Sequence, residues 1–374
     1  MKETTRLVRA GLPEPPAKPD AGTPIHPGPV FAAAFVTPGD PSQSAYTYQR
    51  FHNPTWDELE RALGALEGGV ARIFPSGMAA ITAVFAALLR PGDVVVLPSD
   101  SYRTTRVLTR EFLSSFGIET RLAPTANNAQ AKVLEGAKLL WIETPANPGM
   151  DVCDIRLLAD AAHQAGVLVA ADNTTPTALG QKPLALGADL SVASDTKSLT
   201  GHSDLLLGHV AVRDLELMSK IDRWRTLSGS IVGPMEAWLA MRSLTTLPLR
   251  LEKQSQNAQR IAEFLESGSI ARSVRYPGLT SHPDHALARR QMRYFGPIVG
   301  FELASRSKAE RFLDASKLLV EATSFGGITS SAERRARWGQ DDVSEGFIRL
   351  SAGCEDIDDL LADVDQALAA SVTA

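Results

Sequence analysis

A lysine set among small hydroxyl residues at the end of an apolar run is the feature of this chain best suited to covalent chemistry. The segment Ser194-Asp195-Thr196-Lys197-Ser198 follows Leu190-Ser191-Val192-Ala193 and passes through Gly201 into a second apolar run, Leu205 to Val212. Desolvation at a strand end lowers an amine's pKa, so that the neutral form can attack a carbonyl carbon. The hydroxyls beside it suit a phosphate. Together they suit capture of a phosphorylated aldehyde as a Schiff base. An isolated Ser-x-Thr-Lys is more often a surface lysine, so the argument rests on what else the chain carries.

Four other groupings bear on that chemistry. In Phe74-Pro75-Ser76-Gly77-Met78-Ala79-Ala80-Ile81 a small-residue turn opens into an apolar helix, whose first amides have no intrahelical acceptor and favour an anion. Asp172 closes the apolar run Val169-Ala170-Ala171, at the carboxyl edge where open parallel sheets bind ligands. A carboxylate there can keep a pyridine nitrogen protonated; a helix cap is the plainer alternative. Tyr102 follows the strand ending at Leu97 and can stack on a planar ring or simply pack in the core. Arg349 lies inside Ile348-Arg349-Leu350-Ser351, where burial demands a carboxylate partner. That partner is either a substrate or a structural Asp or Glu.

The elements that must position these residues alternate along the chain. Val94 to Leu97, Leu139 to Ile142, Val167 to Ala171, Leu190 to Ala193 and Leu207 to Val212 have the make-up of buried strands. Helical segments at Asn53 to Gly68, Arg106 to Phe116 and Ile155 to Ala165 separate them. Such alternation predicts an α/β fold with a mostly parallel sheet covered on both faces. Residues 1–47 are rich in Pro and Gly (Pro13, Pro15, Pro16, Pro19, Pro24, Pro27, Pro29) and predict an extended arm. Its apolar stretch Val30 to Val36 packs either on the chain's own core or on a neighbouring subunit. After Gly233 a long helical region, Met235 to about Glu266 with a break near Pro248, and a last helix, Ile357 to Ala370, predict a smaller α+β domain. The expected division is 1–47, 48–233 and 234–374.

At 374 residues the chain is long enough for two cores. Hydrophobic residues make up 44% and charged residues 22%, with a net charge of −5, which leaves no basic footprint for nucleic acid or an anionic membrane. Met1 to Asp20 lacks an apolar signal core, and the apolar stretch Met78 to Leu89 is too short to span a bilayer. Cytoplasmic residence is the expectation. Cys153 and Cys354 have no metal-ligand spacing and are expected to be buried, reduced and structural. No metal is expected.

In order along the chain, these segments resemble the cysteine/methionine-metabolism family of pyridoxal-phosphate (PLP) enzymes. The resemblance runs from about Tyr46 to Ala370. It is carried by Tyr48-Gln49-Arg50, Asn53-Pro54-Thr55, Leu66-Glu67-Gly68-Gly69 and Ser76-Gly77-Met78-Ala79-Ala80. It continues through Trp141 to Pro148, Asp172-Asn173-Thr174, Thr196-Lys197, Gly201-His202-Ser203-Asp204, Tyr276-Pro277-Gly278-Leu279, Gly326-Gly327 and Arg349-Leu350-Ser351. It implies an aspartate-aminotransferase-like (fold type I) architecture with a seven-stranded sheet, in a homotetramer of two active-site dimers. It further implies that Lys197 holds PLP as an internal aldimine and then moves protons. Asp172 would pair with the ring nitrogen and Tyr102 would stack on the ring. Gly77, Met78, Ser194 and Thr196 would bind the phosphate, with Thr174 also at the cofactor. Tyr48 and Arg50 would reach the phosphate of a neighbouring subunit. Arg349 would clamp the substrate's α-carboxylate, with Asn147 and Ser324 close by.

The family pattern implies γ-elimination on L-cystathionine, giving cysteine, 2-oxobutyrate and ammonia. Cystathionine γ-synthase is the runner-up, followed by β-lyase and methionine γ-lyase activities. A cofactor-binding protein without catalysis is the reading from another class. The departures fall where substrates are sorted. Arg103-Thr104 follows the stacking tyrosine, Thr323 stands where glutamate is usual, and Ser330 to Trp338 lacks the common proline- and histidine-containing pattern. Arg103 and Arg106 are candidates to meet a distal substrate carboxylate, or else face solvent.

Overall fold

The computed structural model describes residues 1–12, 17, 20–339 and 341–372. The first sheet has seven strands: β1 (Val70–Phe74), β2 (Val94–Pro98), β3 (Glu119–Ala123), β4 (Leu139–Glu143), β5 (Leu168–Asp172), β6 (Leu190–Ala193) and β7 (Gly208–Val212). They lie in the order β1-β7-β6-β5-β4-β2-β3. Every pairing is parallel except the two made by β7. The architecture is therefore α/β with a mostly parallel sheet, as expected.

Strands β2, β4, β6 and β7 are buried along their whole length, which is why they are nearly continuous apolar runs rather than alternating ones. One face packs on the helix Gly77–Leu88 through Phe85, Val84 and Trp141, the other on the helix Ile155–Gln164 through Leu158 and Ala162. Because the parallel strands share a direction, their carboxyl ends and the loops that follow gather along one edge. That edge carries the site.

A second sheet has five strands, β8 (Arg272–Arg275), β9 (Ile298–Glu302), β10 (Val320–Glu321), β11 (Ser331–Arg334) and β12 (Phe347–Ser351), in the order β10-β11-β12-β9-β8. It buries Phe301, Ile348 and Leu350 beneath the helix Ile357–Val372. The helices Pro234–Leu244 and Leu247–Ser267 join the two sheets. The break between them falls at Thr245-Thr246, so Pro248 sits in the first turn of the second helix, where its missing N–H costs nothing.

Three expectations change. The arm opens with a short helix, Glu3–Val8, which carries Leu7 into the cluster around Trp56 and Leu63. Pro13, Pro15, Pro16 and Pro19 lie outside the described residues. Further along the arm, Phe31 is 68% and Val36 92% exposed, so this chain's own core does not cover them. The helix expected at Arg106 begins at Arg103, directly after Tyr102, and passes through a π turn and a 3₁₀ turn before Gly117 ends it with φ 75°. Cys153 is buried, but Cys354 is only half-buried, its thiol facing the Arg250 carbonyl.

Candidate active site

Four strand ends deliver the chemistry. Tyr102 follows β2, Glu143 ends β4, Asp172 ends β5, and the loop after β6 carries Ser194, Thr196 and Lys197. All of them line one cavity of about 310 Å³, together with Gly77, Met78, Asn147, Thr174, Ser324, Phe325, Arg335 and Arg349. The second sheet closes it through Arg349 on β12 and the loop Thr323 to Gly327.

Lys197 donates to Ser324 Oγ at 2.6 Å and lies 5.4 Å from the centroid of the Phe325 ring. Burial, reinforced by the nearby Arg349 charge, pushes its amine down to about 8, leaving a substantial neutral fraction near physiological pH. Ser324 is held at φ +82°, a conformation costly for an L side chain, and its carbonyl accepts from Arg349 Nη2 at 2.7 Å. The long helix Leu247–Ser267 pins both loops. Arg250 donates to the carbonyls of Ser198 and Leu199, and Gln254 to those of Gly326 and Gly327.

Asp172 accepts from Thr174 Oγ1 at 2.6 Å and from the Thr174 amide at 3.1 Å. The Thr174 hydroxyl oxygen in turn accepts from the Ser194 amide at 2.8 Å. Thr174 therefore positions Asp172 and the loop after β6 at once. Burial raises the Asp172 carboxyl, and the Thr174 hydrogen bonds work the other way. A cationic ring nitrogen beside it would restore its charged form.

The residues present fit PLP. Ser76 caps the helix Gly77–Leu88 by accepting from Ala79 N, which leaves the amides of Gly77 and Met78 for a phosphate. A Cβ on Gly77 would stand 2.5 Å from Ser194 Cβ, and one on Gly208 would stand 2.6 Å from Ser76 O. Backbone packing this close leaves a cradle that only glycines permit. Thr196 accepts from the Leu207 amide at 3.0 Å, fixing the second hydroxyl of the cradle.

Arg349 is buried and carries the structural partner that its sequence context left open. It donates to Glu333 Oε1 at 2.5 Å and to Asn147 Oδ1 at 3.0 Å, while its Nε has no acceptor among the described residues. An arginine already held on one side and unpaired at Nε is prepared for an incoming carboxylate.

Tyr48 and Arg50 are not brought to this cavity. Tyr48 is 45% exposed, and Arg50 donates to Thr226 O at 3.0 Å. Arg103 and Arg106 do not line it either, and Arg106 Nε donates to Ser101 O. Two carboxylates were not singled out from the sequence. Glu143 accepts the amides of Tyr102 at 2.7 Å and Asn147 at 3.0 Å. Burial, with the Asp172 charge nearby, pushes it up to about 8. Its signal is the one that exposed Asp172, an acid closing an apolar strand. Glu333 stands opposite Arg349 in the β11–β12 register, a pairing visible only once the strands are aligned.

The chain is similar to known proteins in both sequence and structure. A family model described as Cys/Met metabolism PLP-dependent enzyme matches residues 4–369. A putative cystathionine gamma-lyase of Streptomyces coelicolor is 56% identical over 97% of this chain and 93% of its own. A cystathionine gamma-synthase of Mycobacterium bovis is 38% identical over 97% of this chain and 96% of its own. The structure of cystathionine gamma synthase from Xanthomonas oryzae pv. oryzae in complex with cystathionine superposes with a TM-score of 0.94 at 35% identity, covering 99% of this chain and 98% of that one.

Proposed function

The chain belongs to the Cys/Met metabolism PLP-dependent enzymes, and from that premise we propose that it cleaves the Cγ–S bond of L-cystathionine. The products are cysteine, 2-oxobutyrate and ammonia. The observation that carries this reading is the single cavity in which the depressed amine of Lys197 meets Asp172, Tyr102 and the half-committed Arg349. The 56% identity to a putative gamma-lyase favours the lyase outcome.

PLP, when bound, supplies an electron sink for the pair left at the substrate's Cα. Lys197 would hold it, with Asp172 at the ring nitrogen, Tyr102 on the ring face, and Gly77, Met78, Ser194 and Thr196 around the phosphate. Arg349, Asn147 and Ser324 orient the substrate by its α-carboxylate. The Lys197 amine would take the Cα proton and, once it has given that proton up, take a second from Cβ and deliver it to the departing γ-thiolate, which leaves as cysteine. Water completes the release of 2-oxobutyrate and ammonia. Tyr48 and Arg50 would complete the phosphate site of a neighbouring subunit, in a homotetramer built from active-site dimers.

γ-Replacement is the second reading, favoured by the fit to the Xanthomonas gamma synthase. Product analysis of the PLP-loaded protein with L-cystathionine separates the possibilities. Cysteine plus 2-oxobutyrate is expected. Homocysteine plus pyruvate would make the enzyme a β-lyase. No cleavage, followed by turnover of an O-acylhomoserine with cysteine, would make it the synthase.

A further inference from the structure

The turn after β11 brings a second guanidinium to the cavity. Arg335 lines the cavity beside Arg349. Both donate to one oxygen, Glu333 Oε1, Arg349 at 2.5 Å and Arg335 at 2.8 Å. The other oxygen of Glu333 accepts from Arg337 at 3.1 Å and Trp338 Nε1 at 2.9 Å. Asp341 accepts from Arg335 Nε at 2.9 Å and also from its Nη2.

Three guanidiniums thus converge on two buried carboxylates, with Glu321 pairing Arg337 at the exposed outer end. Arg335 keeps two N–H groups without an acceptor among the described residues, and Glu333 and Asp341 fix its side chain so that little freedom is lost on binding. Arg349, flanked by Asn147 and by the Ser324 that meets Lys197, is placed for the carboxylate next to the reacting carbon. Arg335 is left for a different anion.

We propose that Arg335 is a specificity-determining residue that binds the anionic far end of a dicarboxylic amino-acid substrate. The proposal rests on the amino-acid-cleaving reading above and assigns to Arg335 the role for which Arg103 and Arg106 were the candidates in the sequence. Glu333 acts as its positioning residue, holding the two guanidiniums a fixed distance apart.

The test is a calorimetric titration of the PLP-loaded protein with L-2-aminoadipate and with L-norleucine, which share a chain length and differ by the terminal carboxylate. The wild type is expected to prefer the dicarboxylate. Arg335→Met should weaken 2-aminoadipate about 10- to 100-fold, as expected for losing a hydrogen-bonded charge, and leave norleucine nearly unchanged. Arg335→Lys should recover part of the preference. The ratio of the two affinities within one protein cancels any loss of folded material. Equal weakening of both ligands, or no change in either, would overturn the proposal. A wild type that fails to cleave L-cystathionine yet shows the Arg335-dependent preference would overturn the proposed reaction and leave the anionic subsite standing.

Discussion

At the scale of single residues, the site depends on an amine whose charge is suppressed by its surroundings. Burial and Arg349 together bring Lys197 to about 8, so its neutral fraction grows as pH rises through that value. The rate at which cofactor-free protein captures PLP should therefore climb with pH and level off above about 8. Lys197→Ala should lower turnover by at least about 10³-fold, the scale of a lost acid–base group, while Asp172 and the Gly77 cradle still bind the cofactor. Borohydride reduction followed by mass spectrometry checks this, because only a chain with the amine retains the cofactor covalently. Undiminished elimination by the variant would sink the assignment. Glu143 works differently. Burial and the Asp172 charge raise its carboxyl, which favours the state in which Asp172 ionises toward a ring nitrogen without a second full negative charge beside it.

At the scale of elements, the Lys197 loop is fastened from below by a buried ionic cluster. His209 on β7 donates toward Asp195, 2.8 Å from Nδ1, and lies 3.0 Å from Glu67 at Nε2. Burial disfavours the charged ring, yet the Asp195 and Glu67 carboxylates outweigh it and push His209 up to about 10. For a base raised on folding, the stabilisation is complete below the unfolded value near 6.5 and is lost as pH climbs through about 10. Thermal midpoints should accordingly fall across that window in the wild type. His209→Leu, which strands two buried carboxylates, should cost about 3–5 kcal/mol at neutral pH, and Asp195→Ala/His209→Leu should recover part of it, since Glu67 stays unpaired. Chemical denaturation measures both, and a single variant as stable as the wild type would refute the cluster's role. The sequence shows why part of this was legible and part was not. Strand ends announce themselves locally, so Asp172, Lys197 and Tyr102 could be placed from an apolar run and the polar residue that stops it. The partners of Arg349 and Asp195 come from segments 14 residues and more away, Glu333 and His209 among them, and their meeting depends on strand register. The short helix Glu3–Val8 escaped because proline density further along the arm dominated the local signal.

At the scale of the whole molecule, the arm is where the chain's own fold leaves apolar residues uncovered. The arm is tied to its own chain by backbone bonds, Phe35 N to Thr47 O and Gln49 N to Ala33 O, yet it holds Ile25, Phe31 and Val36 out to solvent. Exposed apolar residues arranged along a structured strap suit an interface. Tyr48 and Arg50 sit at the end of that strap, away from the cavity of their own chain. If they serve the phosphate of a twofold-related subunit, then Lys197→Ala and Arg50→Ala damage different halves of the same shared site. A mixed dimer would then contain one site carrying both defects and one carrying neither. Random reassortment makes half the dimers mixed, so two nearly inactive proteins, unfolded and refolded together, should regain about a quarter of the wild-type activity. Refolding each variant alone supplies the baseline. Mixed refolding that rises no higher than this baseline would place Arg50 outside the neighbour's site, leaving its bond to Thr226 as its role.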